Sequence, residues 1–343
     1  MSHKISKPQR YSELDALRGI AAIAVVLFHF TYGYDNGLNL ISNNKFYFKY
    51  GYLGVHLFFI ISGFVIFMTL EKATNSTSFA ISRFSRLFPA YWTAILLTII
   101  ITTLLSVPFQ KNIYTIKQVL VNFTMLQFWF KIKDVDGAYW TLAVELTFYI
   151  IMWLLYITKQ LNNIQWICTI WLLLSIIFSS FTLPLQNYIN VILILKQAPL
   201  FCAGIAFFLI KTKGDTVYLH LLVLASIITE LLILSDTTKD LVPHLIIISL
   251  FLVFYLFIFE KLKFLSNAVF VFWGSISYSL YLIHENIGFA IIYWLKKLFD
   301  NQLFYISVTS IIIIGLAYMI TNFIEKPAMS LIRNYHRKNT KID

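Results

Sequence analysis

Long apolar runs without charge are the feature that most restricts what this chain can fold into. Residues 87–107 and 303–324 contain no Asp, Glu, Lys or Arg, and about twenty apolar residues in a helix cross the hydrocarbon core of a bilayer. Ten runs of this kind occur: 12–33, 51–71, 87–107, 139–157, 164–182, 189–210, 217–235, 241–259, 273–295 and 303–325. With 59% hydrophobic and 13% charged residues, we predict an all-α polytopic membrane protein with about ten transmembrane helices in one bundle.

Lysine and arginine set the expected orientation. An even number of spans places both termini on one side, and with that side inside, sixteen Lys and Arg fall in inner segments against nine in outer ones. This bias predicts cytoplasmic termini, and it explains the net charge of +11 without nucleic acid. We therefore divide the chain into a cytoplasmic segment 1–11, a transmembrane domain 12–328 and a basic cytoplasmic tail 329–343. No cleavage site follows the first run, so we expect a retained signal anchor.

The first run carries charge where a plain anchor would carry none. Arg18 and His29 are eleven residues apart, about three turns and roughly 16 Å along one helix face. Asp15 lies one turn before Arg18 on that face. A structural alternative is an arginine that snorkels to the interface beside an incidental histidine. Because ionisable groups inside a membrane are costly and usually functional, this face predicts a site.

Depth in the membrane suggests a partner for His29. Glu145 lies six residues past the start of the fourth run, in the outer third, where His29 is also expected. An imidazole with a carboxylate on its second nitrogen is the base and orienter that acyl transfer to a hydroxyl needs. The alternative is a structural buried hydrogen bond.

Arg83 and Arg86 precede the third run on the expected cytoplasmic side. At this spacing both guanidinium groups point the same way at a helix start, where an anion is also favoured. The functional interpretation is a site for a phosphate-bearing ligand, and the alternative is an ordinary positive-inside cluster.

Other polar residues allow two interpretations. His284 and Glu285 lie in the middle of the ninth run and suit either packing or a substrate role, and His56 suits either a loop or the acceptor site. We expect Lys196 and Glu230 to form an ion pair. Cys168 and Cys202 fall inside apolar runs and are predicted to be packing thiols, with no disulfide or metal spacing.

Two further predictions concern the ends of elements. The stretch 115–130, interrupted by Lys117, Asn122 and Gln127, is expected to be a re-entrant or interfacial helix in the long loop 108–138. Pro327 is expected to end the last helix, directly after Glu325 and Lys326.

Six sequence blocks in order resemble one family: LDALRGIAAIAVVLFH, GVHLFFIISGF, RFSRLFPAYW, WTLAVELTFY, SYSLYLIH and IEKP. Together, over residues 11–328, they resemble the bacterial acyltransferase-3 family of integral membrane O-acyltransferases. The resemblance implies transfer of an acyl group, usually acetyl, from cytoplasmic acyl-CoA to a cell-envelope glycan or its lipid-linked precursor. It marks Arg18 and His29 as paired functional residues, and Arg83 with Arg86 as an RxxR element that meets the CoA phosphates.

The match has two departures from the family pattern. Glu145 falls in a W-S-L-x-x-E-like block in which Thr141 replaces the usual serine. His56 stands where relatives often have an acidic residue, so a role for that acid does not transfer to this chain. No esterase-like domain follows the last block, which suggests a stand-alone acyltransferase.

The sequence thus predicts an O-acetyltransferase of the bacterial cytoplasmic membrane. Acetyl-CoA is the expected donor, and no metal is expected. His29 would act as general base or transient acyl carrier, with Glu145 as its orienter and Arg18 toward the cofactor; Asp15, His284 and Tyr149 are further candidates. The alternatives are a transporter or flippase of a glycan precursor, in which these charges form a relay, and a binding or sensing protein without chemistry.

Overall fold

A computed structural model describes residues 11–38, 40–41, 45–73, 75–105, 114–181 and 185–339. Within these ranges the chain is helical and contains no strand. The predicted N-terminal segment with Lys4, Lys7 and Arg10 lies outside the described residues, as does the end of the basic tail.

The helices are numbered here in chain order. They are α1 Ser12–Gly37, α2 Gly51–Glu71, α3 Ser76–Leu105, α4 Ile116–Phe123, α5 Tyr139–Ile157, α6 Gln160–Ser180, α7 Gln186–Ile192, α8 Ala198–Lys213, α9 Val217–Thr237, α10 Leu241–Ile258, α11 Ala268–Ile283, α12 Glu285–Leu298 and α13 Gln302–Lys338.

Eight of the described helices are long and apolar enough to cross a membrane. They correspond to eight of the ten predicted spans, and they make the chain a multi-pass membrane protein. The sixth and ninth predicted spans are instead broken helices. Apolar runs do not reveal such breaks, because backbone interruptions in a membrane are tolerated where they are buried in protein or line a cavity.

The ninth predicted span breaks at His284, between α11 and α12. The ring Nδ1 of His284 lies 2.7 Å from the carbonyl oxygen of Tyr281, which in an uninterrupted helix accepts from the amide of residue 285. The histidine therefore uses a backbone acceptor at the point where the helix is interrupted.

The sixth predicted span breaks between α7 and α8. Ile194 has a positive φ of 43°, and Pro199 stands in the first turn of α8, where its missing N–H costs nothing. Nearly all of α8 is buried, and Gly204 meets α2 so closely that an added Cβ would lie 2.1 Å from the carbonyl oxygen of Ile60. A helix that is apolar all round and buried all round forms the centre of the bundle.

Helix α1 packs between α2 and α11 through small residues. An added Cβ at Gly274 would lie 2.1 Å from the carbonyl oxygen of Asp15, and one at Gly54 would lie 2.6 Å from that of Ala21. Close backbone approach at small residues is the usual way that membrane helices associate. The helix that carries Arg18 and His29 is thus clamped on two sides.

Two predicted boundaries are wrong. Helix α3 begins at Ser76, so Arg83 and Arg86 lie two to three turns inside it and not at a helix start; the helix-dipole argument for an anion does not apply there. The last helix continues through Pro327 to residue 338. A wider π turn, Thr321–Glu325, shifts the hydrogen-bond register just before the proline, which accommodates a residue without an N–H.

The long loop contains the short helix α4 at the predicted interrupted stretch. Asn122 is buried and its side chain bridges the carbonyl of Lys133, at 3.0 Å, and the amide of Val135, also at 3.0 Å. The loop thus folds back onto the bundle at its own polar residues. Cys168 and Cys202 are buried free thiols, as predicted.

Candidate active site

Two cavities lie next to each other in the bundle. The first, of about 560 Å³, is called here the arginine cavity because Arg18, Arg83, Arg86 and Arg333 line it. The second, of about 420 Å³, is called the histidine cavity because His29 and His56 line it. Both volumes are typical of small-molecule sites.

His29 opens a π turn, His29–Gly33, inside α1. Such turns are frequent at functional sites because they displace a side chain from the regular helical face. The Nδ1 atom of His29 lies 3.0 Å from the carbonyl oxygen of Val25 and 3.0 Å from Nε2 of His284. The imidazole is therefore held from one side only.

The hydrogen bonds of His284 determine which nitrogen of His29 carries the proton. A carbonyl only accepts, so Nδ1 of the fully buried His284 must donate to Tyr281. Neutral His284 then offers a lone pair at Nε2, and Nδ1–H of His29 donates to it, shared with the Val25 carbonyl. This leaves Nε2 of His29 unprotonated, which is the state a general base requires.

Glu285 faces the free nitrogen. Its Oε2 atom lies 3.5 Å from Nε2 of His29, and the loop residue Gly137 covers it so closely that a Cβ there would lie 2.2 Å from Oε1. The neighbouring loop carboxylate of Asp136 accepts from the amide of Asn286 at 3.0 Å. Burial raises the pKa of Asp136 to about 7, so the loop carries less than a full negative charge beside Glu285 near neutral pH.

His29, His284 and Glu285 bring possible metal-ligand atoms within 4.8 Å of one another. However, His284 directs Nε2 at Nδ1 of His29 and not at a point shared with Glu285. One hydrogen bond joins the two histidines, and Glu285 lies beside the other nitrogen of His29, so the three groups do not converge on one point as tetrahedral metal coordination requires.

The arginine cavity is strongly charged. Its walls carry five cationic side chains and three carboxylates, a formal excess of two positive charges. The cations are Arg18, Arg83, Arg86, Lys326 and Arg333, and the carboxylates are Asp15, Glu145 and Glu325. Such a wall favours an anionic occupant.

The arginines differ in how far they are already paired. Arg86 forms an ion pair with the buried Glu325, and Arg18 lies 3.8 Å from Asp15. Arg333 donates to the side chain of Ser85 at 3.1 Å. By contrast, the buried Nε of Arg83 finds no hydrogen-bond partner in the described part of the chain. An unpaired buried guanidinium donor is costly unless a ligand satisfies it.

Glu145 is not the partner of His29. Its Oε1 atom accepts from Ser62 at 2.9 Å and from Tyr149 at 2.5 Å, and Glu145 and Tyr149 both line the arginine cavity. Helix α5 starts at the histidine cavity, which Ala138 and Trp140 line. Glu145 lies six residues beyond the start of this helix, about 9 Å along its axis, and its side chain lines the arginine cavity.

A thin wall separates the two cavities. Val55, Phe59 and Tyr281 line both of them, and the Tyr281 hydroxyl is 2.8 Å from that of Thr141. Because the side chains of these residues border both cavities, the two cavities are directly adjacent.

The expected ion pair between Lys196 and Glu230 is also wrong. Both residues line the histidine cavity, but no ion pair joins them in the described ranges, and Glu230 faces His56 instead. Helix α7 ends at Ile192, so Lys196 lies in the break before α8. The direction of its side chain therefore cannot be deduced by assuming one continuous helix.

The structure places most of the predicted site residues at the two cavities: Arg18, Asp15, Arg83, Arg86, Glu145 and Tyr149 line the arginine cavity, His29 lines the histidine cavity, and His284 contacts His29. The sequence showed Glu285 only as a charge in an apolar run and did not reveal its contact with His29. Glu325 was interpreted as a helix end. Arg333 carried no signal, because its position depends on α13 continuing beyond Pro327.

Comparison with known proteins follows this geometry. The family model described as an acyltransferase domain matches residues 11–321. The chain belongs to the acyltransferase-3 family. The resemblance carried by the six sequence blocks is thereby confirmed.

Three relatives of this family member are informative. A Staphylococcus aureus (strain COL) protein named as an O-acetyltransferase is 29% identical over 46% of this chain and 27% of its own length. YrhL of Bacillus subtilis, named as a peptidoglycan O-acetyltransferase, is 27% identical over 44% of this chain and 24% of its own. OatA of Listeria monocytogenes, a peptidoglycan O-acetyltransferase, is 26% identical over 46% of this chain and 27% of its own.

The matched stretch thus spans about a quarter of the length of each relative. No solved structure matches the chain.

Proposed function

We propose that this protein is a membrane O-acyltransferase that moves an acetyl group from acetyl-CoA to a hydroxyl of a cell-envelope glycan or its lipid-linked precursor. The observation that carries the proposal is the pair of adjoining cavities: one is cationic, and the other is lined by His29, whose Nε2 is left unprotonated. Family membership supports acyl transfer, and the names of the relatives support a glycan acceptor.

The donor occupies the arginine cavity in this proposal. The phosphates of CoA bind Arg83, Arg18 and Arg333, of which Arg83 has an unsatisfied donor. Arg18 and His29 are separated by roughly 16 Å along α1, a distance that the flexible pantetheine arm bridges. The thioester then reaches the wall at Tyr281. The positive-inside rule puts the arginine cavity, and both termini, on the cytoplasmic side of the bacterial cytoplasmic membrane.

The acceptor occupies the histidine cavity. Nε2 of His29 removes the hydroxyl proton as the oxygen attacks the thioester carbonyl, the C–S bond breaks, and the thiolate takes the proton from the imidazolium. Glu285 stabilises the imidazolium, and His284 keeps the second nitrogen occupied. In the covalent variant of the same scheme, Nε2 itself accepts the acetyl group first and passes it to the hydroxyl.

The proposal is tested with protein in lipid nanodiscs, labelled acetyl-CoA and soluble peptidoglycan fragments as the acceptor probe. We expect His29→Ala to lower the rate of CoA release by about 10²- to 10⁴-fold. His244→Gln is the matched control, because His244 bonds Ser235 and the backbone of Asp240 and lines neither cavity. A wild-type protein that releases no CoA, or a His29→Ala variant that releases it undiminished, would refute the proposal. Acid quenching during turnover distinguishes the covalent variant by label retained on His29.

A further inference from the structure

A second histidine–carboxylate pair faces the histidine cavity and is separate from the contacts of His29 with His284 and Glu285. Nε2 of His56 lies 3.4 Å from Oε1 of Glu230, and Glu230 is only 3% exposed. The other atom of each group, Nδ1 of His56 and Oε2 of Glu230, is buried and finds no hydrogen-bond partner among the described residues. Both residues line the histidine cavity, and buried polar atoms without a partner point to a polar ligand there.

Helices α2 and α9 bring His56 and Glu230 into the same cavity that His29 lines. His56 stands in the first turn of the main part of α2, and Gly51 and Gly54 before it pack on the backbone of α1. Glu230 comes from α9 on the opposite side, where Ile233 and Leu234 continue the same wall. Leaving these two buried atoms without a hydrogen-bond partner costs free energy.

The chemistry of the pair restricts the ligand. An anion placed against Oε2 of Glu230 would be repelled, and an ammonium group would be repelled by Lys196 on the same wall. A hydroxyl both donates and accepts, so it can satisfy either the carboxylate oxygen or the imidazole nitrogen. Trp140, 39% exposed, adds a flat aromatic face to the same cavity, a suitable surface for a sugar ring.

We infer that His56 and Glu230 form the subsite that holds a non-reacting hydroxyl of the acceptor sugar. The inference rests on the proposed function and adds the residues that recognise the acceptor. The subsite fixes the sugar ring by this second hydroxyl, which aims the reacting hydroxyl at Nε2 of His29. These two residues touch the acceptor but not the thioester.

The test compares Glu230→Gln and His56→Gln with wild type in nanodiscs, using labelled acetyl-CoA and soluble peptidoglycan fragments as the acceptor. We expect the KM for the fragments to rise at least about tenfold. The KM for acetyl-CoA should stay within about twofold of wild type, because neither substitution alters a charge of the arginine cavity. The melting temperature of each variant is measured alongside.

Asp215→Asn is the matched control. Asp215 pairs with His220 near the start of α9, so the variant removes a carboxylate from another histidine pair next to the same helix, outside both cavities. We expect it to leave both KM values unchanged.

The outcomes separate the two proposals. An unchanged KM for the fragments in Glu230→Gln and His56→Gln overturns the subsite, and so does a wild-type enzyme that releases CoA but transfers no label to the fragments. A rise in both KM values together with a lowered melting temperature also overturns it, since the pair is then structural. Absence of CoA release by wild type overturns the proposed function instead.

Discussion

The arginine cavity and the histidine cavity adjoin at one wall but satisfy their polar groups differently. In the first, permanent charges dominate, and two of the arginines already face carboxylates. In the second, the central contacts are hydrogen bonds between groups that exchange protons, such as His29 with His284. Permanent charge suits a polyanionic carrier, whereas proton-exchanging groups suit a hydroxyl that must be activated. The difference indicates that the two halves of a transfer reaction are divided between two cavities.

The largest effect that this comparison predicts is on donor binding. Arg83→Ala should raise the KM for acetyl-CoA about 10- to 100-fold, since a hydrogen bond to a charged group contributes about 1.5–3 kcal/mol and 1.4 kcal/mol is tenfold. The rate at saturating acetyl-CoA should change little. Steady-state kinetics measures both constants. Lys297→Ala is the control, because Lys297 lies over the rings of Tyr293 and Trp294 outside both cavities; equal effects of the two substitutions would contradict a dedicated donor site.

The next effect concerns the helix pair that both cavities share. Gly274→Ala forces a Cβ to within 2.1 Å of the carbonyl oxygen of Asp15, so we expect unfolding free energy to fall by about 1–3 kcal/mol. Helix α11 borders the arginine cavity and ends directly before His284. We therefore expect the KM for acetyl-CoA to rise and kcat to fall. Gly315→Ala, with nothing within 4 Å of the new Cβ, should be neutral or slightly stabilising. Thermal unfolding in detergent and the kinetic assay measure the two variants, and an unaffected Gly274→Ala would show that the two helices separate freely.

A smaller effect is expected from the orienting histidine. His284→Leu removes one of the two acceptors for Nδ1–H of His29. The Val25 carbonyl alone holds this proton less firmly, so the other tautomer becomes partly populated and kcat should fall about tenfold, the rate equivalent of one hydrogen bond. Nitrogen NMR of labelled His29 should show protonated Nδ1 in wild type and a mixture in the variant. A lowered rate with an unchanged tautomer would assign His284 a purely structural role.

The smallest expected effect is a difference between the two cavities in how the KM of each substrate depends on ionic strength. Raising ionic strength from about 0.05 to 0.5 M shortens the Debye length severalfold, so the KM for acetyl-CoA should rise several-fold. The KM for the acceptor fragments should change less than twofold, because the hydroxyl groups proposed to bind in the histidine cavity are uncharged. Equal salt dependence of both constants would remove the contrast between the two cavities.

Much of this site was predictable residue by residue. The face of α1 with Arg18 and His29, and the pair Arg83 and Arg86, line cavities as expected, because a charge in an apolar span must find a polar interior. The partner of His29 was not predictable. Depth along a span says nothing about the direction in which a side chain points, and Glu145 at a similar estimated depth faces the other cavity.

The apolar runs by themselves determined that the chain is an all-helical membrane protein, because a bilayer leaves a backbone few other ways to satisfy its hydrogen bonds. Six ordered motifs determined the family. Only the tertiary structure decided that two spans are broken, that His284 and Glu285 flank His29, and that His56 faces Glu230. The reason is physical: these contacts join residues up to 256 positions apart. The direction in which each helix face points, and the places where helices break, are set by packing between helices, which no local pattern encodes.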